Sequence, residues 1–363
     1  MTKKKVVVAM SGGVDSSLTA ALLLRQGYDC IGITMRLWDE DESAVDPAAR
    51  GCCSLSAVED ARRVADTLGI PYYVLNFRQM FQETVIDYFV SEYGGGRTPN
   101  PCIACNRHVK FAGLLAKARQ LGAEYVATGH YARIAYDAGL GRYLLKKGID
   151  NAKDQSYALY HLNQETLRHF LMPLGDYTKD VTRQLAREFG LAVADKPDSQ
   201  EICFIPDNDY KRYLGEHAPD SLKPGPIVDV DGCIIGRHAG LPLYTVGQRK
   251  GLGLAAGHPL YVVALDFEKN ELIVGSDHDV FAGGLIAADL NWIMIDQLTD
   301  RLTAKAKIRY GAREAEAVVT PLDEGRIHVA FASPQRAITP GQSVVLYDGD
   351  SVIGGGIIQS TVR

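Results

Sequence analysis

The string Ser11-Gly12-Gly13-Val14-Asp15-Ser16-Ser17 constrains this chain more than any other, because of what flanks it. Residues 5–10 (KVVVAM) form a continuous apolar run suited to a central strand of a parallel sheet. Residues 16–26 read as a helix stopped by Gly27. Two glycines and small hydroxyl residues let successive backbone N–H groups turn toward an anion, and the dipole of the following helix favours negative charge there. Two glycines alone would fit a plain serine-capped turn. The full string between strand and helix points to phosphate. It is not a Walker loop, which needs Lys after the last glycine.

The alternation continues. Residues 30–37 (CIGITMRL) form a second strand, followed by a polar, acidic loop over 39–50. A capping box at Ser56-Ala57-Val58-Glu59 opens a helix that Gly69 closes. Residues 72–77 are a third strand, 80–93 and 107–121 helices, and 125–128 a fourth strand. Repetition of this kind implies a parallel sheet with right-handed crossovers and helices on both faces. Ligands of such sheets bind at the carboxyl ends of the strands, where the glycine loop, Met35 and Gly129-His130 all fall. From about Pro224 the texture changes to short β-rich runs (YTVGQ, PLYVVALD, ELIVGS, AKAKIRY, EAEAVVT, RIHVAF, SVVLYD), which suggests small antiparallel barrels or sandwiches.

A formal net charge of −5 over 363 residues argues against bulk electrostatic binding of nucleic acid, though not against a local basic groove. No apolar run approaches the roughly 18 residues of a membrane span. The start MTKKKVVVAM lacks a small-residue cleavage pattern and reads as a first strand. Seven cysteines, an odd number, point to a reducing, cytoplasmic setting.

Cys30 and Cys233 stand in strand-like apolar runs and read as small buried hydrophobes. Cys52-Cys53 follow Gly51 in a loop, with a redox or metal role left open. In Thr98-Pro99-Asn100-Pro101-Cys102-Ile103-Ala104-Cys105-Asn106, two prolines fix the loop and Cys105 opens a helix. A helix N-terminus favours a thiolate, and Arg107, His108 and Lys110 add positive potential. A zinc site would need a second cysteine pair at matching spacing, and none lies downstream. Cys203 follows Lys196-Pro197 in the run DSQEICFI.

Taken in order, AMSGGVDSS, RTPNP with CNRHVKF, ATGHYAR, KDQSY, DSQEICFI, TVGQRKGLG, Arg309-Tyr310 and TPGQSVVLY resemble the tRNA-specific 2-thiouridylases nearly end to end. These belong to the ATP pyrophosphatase (PP-loop) superfamily. The resemblance implies an α/β, adenine-nucleotide alpha-hydrolase-like ATP domain with a parallel sheet and the catalytic cysteines (1–207). A small central domain (208–276) and a tRNA-binding antiparallel β-barrel (277–363) would follow. ATP would be held by Ala9, Met10, Ser11, Gly12, Gly13, Val14, Asp15, Ser16, Met35 and Gly129. Mg2+ would offset the pyrophosphate charge, with Asp15 either organising that metal or capping the helix.

By the same resemblance, the C2 oxygen of the wobble uridine is adenylated and sulfur comes from a persulfide on Cys203, with Cys105 as partner thiol. The sulfur leaves either directly or as hydrosulfide, the latter with a Cys105–Cys203 disulfide to be reduced. Its source would be a persulfide donor such as a cysteine desulfurase or sulfur relay protein. Asn100, Pro101 and Cys102 would line the pocket of a flipped-out base. His130, Lys153, Asp154, Gln155, Arg309, Tyr310 and Gln342 would hold the tRNA, with Tyr131, Tyr157, Arg133, Lys146, Lys147, Arg249 and Lys250 as further surface candidates. One departure matters. Many relatives carry Asp, with an acid/base role, where this chain has Cys102, and a thiol does not inherit that role. An alternative is a [4Fe–4S] cluster held by Cys102, Cys105 and Cys203. Two rivals remain, a small-molecule amidoligase of the same superfamily, which would need neither thiol, and a catalytically idle tRNA-binding protein.

Overall fold

The computed structural model describes residues 3–38, 55–198, 202–255 and 257–363. Cys52, Cys53, the acidic stretch 39–50 and Ser199-Gln200-Glu201 lie outside the described residues. The chain divides into two compact units: Met1–Ile86, Pro101–Asn208 and Gly349–Val352 form the first, and Asp87–Asn100, Asp209–Asp348 and Ile353–Arg363 the second.

The chain opens with β1 (Lys5–Ala9), α1 (Val14–Arg25), β2 (Asp29–Arg36), α2 (Leu55–Leu68) and β3 (Tyr72–Asn76). Then come α3 (Arg78–Phe81), α4 (Asp87–Gly94), α5 (Pro101–Ala104), α6 (Leu114–Gln120) and β4 (Tyr125–Ala127). The hairpin β5 (Ala132–Asp137) and β6 (Arg142–Lys147) precedes α7 (Gln164–His169), β7 (Phe170–Leu171) and α8 (Lys179–Glu188). The first unit is built on a parallel sheet of order β3-β2-β1-β4-β7. Val7 of β1 pairs with Ile31 on one side and Val126 on the other, so strand order reverses between β1 and β4. The α/β reading of the sequence therefore holds. The two-residue β7 escaped it, because so short a strand carries no periodicity.

Helix α1 is buried on every side, with Leu18, Ala20, Ala21, Leu22 and Leu23 at most 1% exposed. That suits a helix whose second half, Ala20–Leu24, is apolar all round, and truncating Leu18 to Ala would cost roughly 2–5 kcal/mol. On α2 only the stripe Ala57, Ala61, Val64 and Ala65 is buried, the spacing of one helical face. The helix read over 80–93 is interrupted instead, by a π turn at Gln82–Ile86 between α3 and α4. The helix read over 107–121 starts earlier. It begins at Pro101, whose missing N–H costs nothing at a first position, and passes through a π stretch at Cys105–Gly113 into α6. Cys105 is thus a full turn inside the helix and buried, not at its N-terminus, and the first turn carries the exposed Cys102 instead.

The second unit contains α4, α9 (Tyr210–His217) and a four-stranded sheet made of β8 (Gly225–Asp229), β9 (Ile234–His238), β10 (Tyr261–Asp266) and β11 (Glu271–Gly275), in the order β10-β11-β8-β9. Its core is Ile227, Leu241, Val262, Leu272 and Val274. The sheet is mixed, since β8 and β11 run parallel. The run YTVGQ is not a strand. Gly247 (φ +85°) turns the chain, although its N–H and the Gln248 carbonyl still bond Val262 at 2.8 and 2.9 Å. Cys233 corrects a second reading. It is exposed in the turn between β8 and β9, its N–H donating to the Asp229 carboxylate at 2.8 Å.

Strands β12 (Phe281–Trp292), β13 (Leu302–Lys307), β14 (Ala315–Leu322), β15 (Arg326–Arg336), β16 (Ser343–Asp348) and β17 (Ser351–Val362) follow. Because β12 pairs with both β15 and β17, the six close into an antiparallel barrel. Alternate small and branched residues, among them Ala287, Ala306, Val319, Val329 and Leu346, fill its interior.

Candidate active site

In the first unit the glycine loop leaves β1 and enters α1 at the point where strand order reverses. The loop is shaped by its own hydroxyls. Ser11 N–H donates to Ser16 Oγ at 3.1 Å, and Ser16 and Ser17 donate to the Gly13 carbonyl at 3.2 and 2.9 Å. Gly12 is fixed by sterics. Its φ is +69°, and a Cβ there would stand 2.1 Å from the Ala57 carbonyl oxygen of α2. Gly13 is different. It is the N-cap of α1 in extended backbone, and a Cβ would meet only Ser11 Oγ, at 3.6 Å. Nothing among the described residues demands glycine there, so the space above it suits a ligand that approaches the backbone.

Gly129 follows β4 and closes the loop from the other side, since its Cβ would fall 2.8 Å from Ser16 N and from the Asp15 carbonyl carbon. Met35 stands half-buried at the carboxyl end of β2. Residues 9–16, Met35 and Gly129 thus all lie at the carboxyl ends of β1, β2 and β4, where open α/β sheets bind ligands.

Asp15 neither caps α1 nor stands alone. Both its oxygens accept from Lys179 Nζ at 2.8 Å, and one accepts from the Tyr131 hydroxyl at 2.8 Å. Burial and the Asp15 charge push the Tyr131 phenol up, keeping it a donor. Lys179 also binds Asp198 at 2.7 Å, and Asp198 takes Lys153 at 2.7 Å and Arg183 at 3.2 Å. Burial alone would raise the Asp198 carboxyl, but the hydrogen bonds from Lys153 and Lys179 hold it below its usual value. Lys196 donates to the Gly12 carbonyl at 3.1 Å and to Asp60 at 2.7 Å. Sequence reasoning missed Lys179, Lys196 and Asp198 as site residues. One signal was available, in that Lys179 opens α8, an N-terminal end where a cation is disfavoured.

A single carboxylate suits Mg2+ bound chiefly by phosphates and water, and Asp15 lies where it would serve. The cluster alternative fares otherwise. Among the described residues no three His, Cys, Asp or Glu side chains are gathered in a way that holds a metal ion, and Cys102, Cys105 and Cys203 are all described. The three cysteines differ in setting, Cys102 exposed, Cys105 buried and Cys203 half-buried. Cys203 is anchored through its neighbours, since Phe204 is buried edge-on against Phe81 with ring centroids 5.8 Å apart.

Several residues read as RNA contacts also make hydrogen bonds inside the chain. Asp154 accepts from Ser156 Oγ at 2.8 Å, Gln155 Oε1 accepts from Tyr131 N–H at 2.9 Å, and His130 Nδ1 lies 2.9 Å from Thr128 Oγ1. Burial, with Lys110 nearby, lowers the His130 imidazole to about 3, so it is neutral at physiological pH. Tyr131 and Tyr157 are buried and are not surface candidates, and Arg133 and Lys146 bind Asp350 at 2.8 and 3.4 Å. In the second unit, Gln342 Nε2 donates to the Thr98 carbonyl at 2.8 Å, pinning the segment that leads to Asn100. Arg309 and Tyr310 are exposed, with Lys307 Nζ 5.6 Å from the Tyr310 ring centroid.

Comparison with known families places these parts. Residues 4–207 match the tRNA methyl transferase HUP domain, 211–276 the tRNA methyl transferase PRC-barrel domain, and 282–358 the aminomethyltransferase beta-barrel domain. A phosphate loop at the switch point of a HUP sheet, ahead of two small β-domains, defines the class. The tRNA-specific 2-thiouridylase MnmA of Acetivibrio thermocellus is 58% identical over 359 residues, covering 99% of this chain and all of that one. Those of Heliobacterium modesticaldum (60% over 358 residues, 98% and 92% covered) and Carboxydothermus hydrogenoformans (57% over 357, 98% of each) are similarly related. The chain belongs to the tRNA-specific 2-thiouridylase family of the PP-loop superfamily.

Proposed function

We propose that this protein uses ATP to replace the C2 oxygen of the tRNA wobble uridine with sulfur, releasing AMP and pyrophosphate. The observation that carries the reading is the open cradle over Gly13, enclosed by Gly129 at the point where strand order reverses. The uridine C2 oxygen attacks the α-phosphate and expels pyrophosphate. AMP becomes the leaving group in place of oxide, which lowers the barrier to attack at C2. The terminal sulfur of a Cys203 persulfide then attacks C2 and displaces AMP. Cys105 thiolate attacks Cys203 Sγ, so that the sulfur–sulfur bond to the base breaks. The base leaves as 2-thiouridine, and a Cys105–Cys203 disulfide remains for an external thiol to reduce.

When bound, Mg2+ would neutralise charge on the departing pyrophosphate, with Asp15 as its protein ligand. Gly12 and Gly13 support the reading by leaving the backbone bare for close approach of the phosphates, and Ser16 by bonding the loop into shape. Asn100, Pro101 and Cys102 line the pocket of the flipped base. Arg309 and Tyr310 offer an exposed guanidinium and ring suited to phosphate and base. Asp154, Gln155, His130 and Gln342 act by holding the surrounding chain in place. The domains run 1–207, 208–276 and 277–363, and a persulfide-bearing protein supplies the sulfur. The test is mass spectrometry of tRNA incubated with protein, ATP, Mg2+ and a persulfide donor. Appearance of 2-thiouridine, lost in Cys203→Ser, is expected. ATP hydrolysis with a small amine acceptor and no change in tRNA would overturn the reading in favour of an amidoligase.

A further inference from the structure

Lys179 joins two parts of the first unit that the reaction uses at different moments. Its ammonium is nine-tenths buried and bonds both oxygens of Asp15, in the phosphate loop, and one oxygen of Asp198 at 2.7 Å. Asp198 lies five positions ahead of Cys203. The same short segment reaches the loop a second time, through Lys196 Nζ on the Gly12 carbonyl at 3.1 Å. The run that leads to the sulfur-bearing cysteine is therefore stapled to the phosphate loop at two points, and at one of them the staple is a single shared cation.

A cation between two carboxylates is sensitive to a third anion. Asp198 has two other positive partners, Lys153 and Arg183. Among the described residues, the Asp15 carboxylate is bonded only by the Tyr131 hydroxyl besides Lys179. A polyphosphate arriving over Gly13 competes for the Lys179 ammonium, and a divalent cation arriving with it competes for Asp15. The first change draws the ammonium off Asp198, and the second releases it from Asp15, so that Lys179 is free to turn to the phosphates. We propose that Lys179 is a positioning residue that reports occupancy of the nucleotide site to the Cys203 segment, so that Cys203 becomes more reactive once nucleotide is in place. The order has a chemical use, because a persulfide exposed before the uridine is activated is lost to other thiols. The proposal rests on the nucleotide-site reading above.

The test measures the alkylation rate of Cys203 by iodoacetamide, followed by mass spectrometry, with and without a non-hydrolysable ATP analogue and Mg2+. Nucleotide binding is measured separately by calorimetry. In the wild type the analogue should raise the Cys203 rate at least about fivefold, the lower end of usual site-to-site couplings. In Lys179→Met the rates with and without analogue should converge, and Lys179→Arg should restore part of the response. Asp198→Asn, which keeps Lys179 and its bond to Asp15, should also remove the response and covers the case in which Lys179→Met fails to fold. If the analogue binds the wild type but leaves the Cys203 rate unchanged, the coupling is wrong and the nucleotide site stands. A response of equal size in wild type and Asp198→Asn also overturns it. If the analogue does not bind the wild type at all, both readings fall.

Discussion

Alanine at Gly13 adds one methyl group at a point where the chain has room for it. Among the described residues the new Cβ would meet no atom nearer than Ser11 Oγ at 3.6 Å, and the backbone there is extended, with φ −98° and ψ 163°. The fold should lose at most ~0.5 kcal/mol. A phosphate seated on the loop N–H groups meets the methyl directly. Losing one hydrogen bond to a charged group costs about 1.5–3 kcal/mol, so nucleotide affinity should fall about 10- to 150-fold. Gly12→Ala inverts the pattern. Its φ of +69° becomes strained, by about 1–2 kcal/mol, and the Ala57 carbonyl oxygen 2.1 Å from the new Cβ forces α1 and α2 apart. Overpacking of that kind adds about 1–3 kcal/mol, enough to lower the melting temperature by several degrees. Calorimetric titration with ATP and thermal melts of both variants separate the two effects. Gly13→Ala binding ATP within about twofold of wild type would refute the placement of phosphate over Gly13. Gly12→Ala melting like wild type would refute the steric account.

Cys203→Ser should abolish thiolation while tRNA-dependent ATP–pyrophosphate exchange continues, since adenylation precedes sulfur transfer; loss of exchange would mean that Cys203 also shapes the nucleotide site. Acid should destabilise the protein in two windows, read from denaturant midpoints across pH. Burial lowers His130 and His161 to about 3, so the unfolded chain takes up their protons first and stability declines as pH drops below ~6.5. Asp60, held down by Lys196 and Arg63 against burial, and Asp198, held down by Lys153 and Lys179, contribute stability that is full above ~4 and lost as pH falls through their lowered values. A midpoint flat from pH 7 to 5 would contradict the first window. Maleimide should label Cys233 quickly and spare Cys30, whose thiol burial and Asp29 push up to about 12; Cys233→Ser should thiolate at the wild-type rate.

The first unit was legible where periodicity and capping agree. KVVVAM, SGGVDSS and the helix after them could hardly be anything else, and Gly12 earns its place by backbone geometry visible in any glycine-rich turn. What stayed hidden depended on tertiary partners. Lys179 lies in an amphipathic helix among other charges, and only the fold sets it between Asp15 and Asp198. Cys233 follows an apolar pattern yet sits in a turn, because Asp229 bonds its N–H. Tyr157 reads as a tyrosine fit for stacking on RNA, and the structure buries it completely. The π stretch at Cys105–Gly113 has no sequence signature that separates it from an ordinary helix, so the depth of Cys105 was misjudged by one turn.

The parallel order of the first sheet also sets a timetable for synthesis. Strand β1 pairs with β4 through Val6 and Tyr125, and among the described residues the loop at Asp15 acquires its counter-charge from Lys179 alone. At about 5–20 residues per second, roughly 8–32 s separate the emergence of β1 from that of β7, the last strand of the sheet. Throughout that interval the apolar residues of α1, Leu18 and Ala20–Leu23, have no complete sheet to cover them. A nascent chain of this protein thus carries an uncovered apolar helix through most of the synthesis of its first unit. Messages truncated before residue 179 should yield only material destined for proteolysis, never a smaller working nucleotide domain.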